Sequence, residues 1–135
     1  MRLTLVLSAS LLLTACAQSR PEGPDCEGAR ENLDQCVQLR RELSGRALME
    51  SCVPLAPVER ITGTWTLDAE GDAFAEEGSG TRRLVYEGTQ LEDVVRTGRD
   101  AVLEVEFVGR RPLCGLEEVY PYIVVDRVLS RRVID

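Results

Sequence analysis

The chain opens on a nearly unbroken apolar run at residues 3–13, behind a positive Met1-Arg2 end. That run is far shorter than the ~20 residues a membrane-spanning helix needs, so it predicts an export signal and not a stable anchor. A polar stretch with two prolines follows at residues 17–24 and reads as a short tether. From residue 26 the apolar positions recur at helical spacing, with Ala29, Leu33, Cys36 and Val37 on one stripe. Asp25 is the expected N-cap and Glu27 favours the first turn. Ser44-Gly45 interrupts the stripe, and Ala47, Leu48 and Cys52 resume it, so residues 26–53 predict two helices folded back as a hairpin. Pro54 and Pro57 stop any continuation.

The period then changes to two. Ile61, Gly63, Trp65 and Leu67 share one face of a strand and Thr62, Thr64 and Thr66 the other. Residues 68–80 are acidic and glycine-bearing, predicting a strand end and a long loop with Phe74 tucked back. Residues 82–86 read as a strand, and residues 90–96 as a short helix with Leu91, Val94 and Val95 on one side. Residues 101–107 alternate most clearly, and residues 122–134 form a long strand, bent near Ser130, whose continuous apolar start predicts burial on both faces. The fold class is therefore α+β. A short N-terminal helical hairpin precedes a small antiparallel sheet over residues 61–135, curled into a partial barrel because closure removes sheet edges. The helical segment ahead of the residue 101–107 strand makes that barrel similar to the OB architecture.

Composition narrows the chemistry. Histidine is absent and all 16 basic residues are arginine, so no Ser-His-Asp triad, Cys-His pair or histidine-bound zinc can be built. Acid-base catalysis would rest on Asp and Glu alone, and no catalytic residue and no cofactor is predicted. A carboxylate-based hydrolase is the alternative. Removing residues 1–15 takes away one arginine and no acid, moving the formal charge from −7 to −8 and arguing against nucleic acid as a partner. The remaining ~120 residues suit one modest domain.

Five cysteines are present, and the first stands apart. Leu13-Thr14-Ala15-Cys16 resembles the lipobox of bacterial lipoproteins: a branched apolar residue, two small ones, then cysteine. The resemblance implies a diacylglycerol thioether on Cys16, cleavage after Ala15, and a bacterial envelope protein held on a membrane by its lipid. Ala17, where aspartate would signal inner-membrane retention, implies the periplasmic face of the outer membrane. The other four cysteines make an even number, which in an exported chain reads as two disulfides; no C-x-x-C pair supports a metal site. Along one straight helix Cys26 and Cys36 would stand ~15 Å apart, too far to bridge. Cys36–Cys52 across the hairpin is then the favoured pair, leaving Cys26–Cys114.

Beyond residue 25 the chain offers weaker signals. Gly63-Thr64-Trp65-Thr66-Leu67 looks like the opening strand of META-type lipoprotein domains, but their later cysteine- and asparagine-bearing motifs are missing. Asp68, Glu70, Asp72, Glu76 and Glu77 form the densest acidic run, out of EF-hand register. Glu104 and Glu106 share one strand face about 7 Å apart, a spacing ordinary for a solvated sheet surface. Arg110 and Arg111 are candidates for anion or partner binding, because the guanidinium fork suits carboxylates and phosphates. Tyr120 and Tyr122, in a loop footed by Cys114, are candidate contacts for an envelope protein or glycan. The expectation is a non-catalytic binding or assembly module, with a purely structural envelope lipoprotein as a further alternative.

Overall fold

The computed structural model describes residues 26–134. The expected signal segment, tether, lipid-bearing Cys16 and N-cap Asp25 lie outside these residues.

Two helices come first, α1 (Ala29–Leu39) and α2 (Gly45–Cys52). Helix α1 starts behind Gly28, which takes the left-handed conformation at φ 69°, three residues after the expected start at residue 26. Its one buried residue is Leu33; α2 buries Met49. The hairpin turn spans residues 40–44, mostly ahead of the expected break at Ser44-Gly45, and Gly45 opens α2.

Five strands and one short helix follow: β1 (Glu59–Asp68), β2 (Gly71–Ala75), β3 (Thr81–Val85), α3 (Glu92–Arg96), β4 (Ala101–Arg110) and β5 (Tyr122–Val133). They close into a barrel in the order β1-β2-β3-β5-β4, with α3 between β3 and β4, as the OB-like expectation has it. Two expectations are corrected. Asp68 ends β1 and Phe74 is buried as expected, but the rest of segment 68–80 is not a long loop: it is a turn, strand β2 and a second turn. The sheet is not antiparallel throughout, because β3 and β5 run parallel. Five strands cannot alternate direction around a closed ring; an odd ring must contain a parallel pair.

The barrel interior holds Ile61, Trp65, Phe74, Leu84, Leu103, Phe107, Ile123 and Val125, with Leu91 from the loop before α3 stopping one end. Phe74 and Phe107 meet edge to face at 5.4 Å. Gly63 and Gly109 let the walls come this close. A Cβ at Gly63 would sit 2.4 Å from the Ala75 carbonyl and 2.6 Å from the Phe74 ring. One at Gly109 would sit 2.6 Å from the Val124 carbonyl. A second core lies outside the barrel, where Leu33, Met49 and Val53 cover Val85, Leu116 and Val124. Strand β5 is thus buried on both faces at its start, with Ile123 and Val125 inward and Val124 under the helices.

Register changes shape β5. Its pairing with β4 skips one residue between Ser130 and Val128 and another between Arg127 and Val125, leaving Leu129 and Asp126 as bulges. The ring is also uneven in length. Strand β2 pairs with β1 only from Thr64 to Asp68, and β3 with β5 only from Tyr122 to Val124. The first half of β1 and the second half of β5 therefore have β4 as their one strand neighbour among the described residues.

Candidate functional site

The cysteines beyond Cys16 pair as Cys26–Cys114 and Cys36–Cys52, with Cα separations of 5.2 and 5.6 Å. The second bridge closes the helical hairpin. The first ties the residues ahead of α1 to the β4–β5 loop, whose foot, Cys114, takes a positive φ of 62°. That loop is further held by Leu113 N–H donating to Pro54 O and by an isolated Leu55–Pro112 bridge.

Arg110 and Arg111 are adjacent in sequence but serve different acids. Arg110 donates two hydrogen bonds of 2.8 Å to Asp126 and one of 2.7 Å to Glu50. Arg46 donates to the same two carboxylates, at 3.0 Å to Glu50 and 2.5 Å to Asp126, closing a ring of two arginines and two acids between α2 and the barrel. The bulge at Asp126 aims its carboxylate into this ring. Burial pushes the Asp126 carboxyl up, but the Arg110 and Arg46 guanidiniums outweigh it and hold the group below its ordinary value. Glu50 is lowered chiefly by its hydrogen bond to Arg110. Arg111 grips Glu76 with two bonds of 2.6 Å and reaches Glu59 at 2.5 Å. Both guanidiniums are therefore neutralised by the protein's own carboxylates.

Tyr120 and Tyr122 pack at 5.0 Å between ring centres, against the core shared with the helices. Burial raises the Tyr120 hydroxyl. Glu104 and Glu106 point outward from β4, paired with Arg132 and with Arg60. They line an open groove of about 790 Å³ across β1, β4 and β5, together with Thr62, Thr64, Ser130 and Arg131. The acidic run is divided among three tasks. Asp68 accepts the Glu70 and Gly71 N–H groups and shapes the β1–β2 turn. Asp72 accepts the Trp65 indole N–H at 3.1 Å, while Glu76 holds Arg111. No cluster of three or more His, Cys, Asp or Glu suited to a metal occurs among the described residues.

Sequence reasoning missed a second concavity. At the β1–β2 turn end of the barrel, Leu67, Asp72, Tyr86, Val95, Arg99 and Asp100 help line a cavity of about 340 Å³. Trp65 and Tyr86 meet edge to face at 5.3 Å beneath it. Burial, then the Asp72 charge, raises the Tyr86 hydroxyl, which stays a neutral donor at ordinary pH. The lining comes from three separate stretches of chain, residues 67–72, Tyr86 and residues 95–100, so no local motif marks it; the one clue is Tyr86 just past β3, two residues before Gly88.

Comparison with protein-family models, with curated proteins and with solved structures finds no match.

Proposed function

We propose that the chain is a lipid-anchored envelope protein that acts as a binding or assembly module for a protein or glycan of a bacterial envelope. The observation that carries the reading is the fate of the thiols. Four of the five cysteines are consumed in two disulfides, which leaves the fifth, Cys16, within Leu-Thr-Ala-Cys as the thiol to carry lipid. Disulfides of this kind persist in oxidising compartments, which agrees with an exported chain. Attachment follows from acyl chains contributing roughly 0.8 kcal/mol per buried methylene, so two or three of them hold the body at the membrane. The periplasmic face of the outer membrane is the proposed location, from Ala17 following the cysteine.

The body suits recognition more than catalysis. Its most strongly perturbed acids and arginines are tied to one another, and the groove over Glu104 and Glu106 and the cavity over Asp72 and Tyr86 are lined by mixed polar and apolar groups. Expressed in a diderm bacterium and fed labelled palmitate, the wild-type chain should take up label and sediment with membranes. Cys16→Ser should lose both while keeping its two disulfides. Equal labelling and membrane partitioning of the two forms would overturn the reading.

A further inference from the structure

Resting on the lipid anchor proposed above, we infer that the short attachment through Cys26, held to the β4–β5 loop by the Cys26–Cys114 bridge, decides which end of the barrel faces the bilayer. The strand register defines two ends. Glu59 pairs with Gly109 and Arg110 with Val124, so the start of β1, the β4–β5 loop and Cys114 lie at one end. Asp68 pairs with Gly71, Leu67 with Ala101 and Leu103 with Val133, so the β1–β2 turn and the far end of β5 lie at the other. The ten residues of β4 separate these ends by roughly 30 Å at the usual strand rise.

The described residues begin at Cys26, and the disulfide fixes that point to the β4–β5 loop, with a Cα separation of 5.2 Å. Nine residues stand between Cys16 and Cys26. Whatever their conformation, they reach at most about 35 Å from lipid to body, a length similar to the barrel itself. A body held at one end by so short a connection keeps that end near the headgroups. Its net formal charge of −8 without the first 15 residues opposes lying flat on an anionic surface. The opposite end, carrying the cavity over Asp72 and Tyr86, is then the one presented to the envelope space.

Without the bridge, only the small outer core and the ion ring would keep Cys26 at that end. The test places a fluorescent amino acid at Glu118 in the β4–β5 loop or at Glu70 in the β1–β2 turn, both exposed. The full lipidated chain is reconstituted in phosphatidylcholine–phosphatidylglycerol vesicles that carry nitroxide-labelled headgroups. Quenching at residue 118 should exceed that at residue 70 at least threefold. A 20-residue polar insertion between Glu22 and Gly23 should bring the two values within 1.5-fold. Equal quenching in the unextended chain, or stronger quenching at 70, would overturn the inference. So would a contrast that survives the insertion. Failure of the protein to float with the vesicles would instead count against the anchor at Cys16, and with it this inference.

Discussion

Gly63 is a residue whose importance lies in what it lacks. Its inward face is filled by the Phe74 ring and the Ala75 carbonyl, so a methyl group there has no room although the backbone is ordinary strand. Gly63→Ala should lower unfolding free energy by about 1–3 kcal/mol, the usual cost of overpacking, measured by urea denaturation. Thr62→Ala next to it, on the exposed face, should change stability by less than about 0.5 kcal/mol. The alternation of residues 61–67 made the inward set legible, and the places of Trp65 and Leu67 follow from it. What the alternation could not reveal is the partner of the Trp65 indole. Asp72 reads as one more acid in a solvated run, yet it satisfies a buried donor and lies 3.5 Å from the Leu84 N–H, where the β2–β3 ladder has already ended.

At the level of elements, the question is what fastens the helical hairpin to the barrel. The outer core, the Arg46–Glu50–Arg110–Asp126 ring and the Cys26–Cys114 bridge share that task. Asp126→Ala would leave two guanidiniums, each less than a third exposed, without one of their two shared carboxylates. A loss of about 2 kcal/mol is expected in denaturant titrations. Arg60→Ala removes a pair whose arginine is 71% exposed, and should cost no more than about 0.5 kcal/mol. Chain-entropy arguments give about 4–5 kcal/mol for the bridge spanning 88 residues and about 3 kcal/mol for the one spanning 16. The Cys26→Ser, Cys114→Ser variant should therefore melt below the Cys36→Ser, Cys52→Ser variant. The hairpin and its own bridge were readable because both are local, set by one helical period and one break. Strand β2 was not, since GDAFA offers a single large apolar residue and becomes a strand through pairing with β1. The roles of Arg110 and Arg111 were equally hidden, because their carboxylates lie 16 to 60 positions away.

For the whole molecule, the tied carboxylates set the response to acid. Asp93, in the grip of Arg131, falls to about 2, and Glu50 and Asp126 are also lowered. Free carboxylates in the unfolded chain titrate near 4, so on acidification the unfolded state takes up protons first. The stability these groups contribute is fully present at neutral pH. It declines as the pH falls below about 4 toward the folded-state values. Urea midpoints should be flat between pH 8 and 5 and drop below pH 4, and the drop should be smaller in Asp126→Asn. A midpoint that rises on acidification would contradict the ion ring. The closed shape was foreseeable from the short, strongly patterned strands, whereas the parallel pair follows from the strand number alone. The β1–β2 end cavity needed the closed ring before its walls could meet.

The unequal strand lengths would matter if the chain is held on a membrane by the lipid proposed above. Molecules confined to a lipid sheet collide far more often than the same molecules in bulk, and a bare strand flank invites a neighbour to zip on. Here the half of β1 without β2 begins with Glu59 and Arg60, and the half of β5 without β3 carries Arg127, Arg131 and Arg132. An approaching copy would have to strip water from these ions before its first main-chain bond formed. On the proposed lipid anchor, these ions would oppose polymerisation of crowded copies.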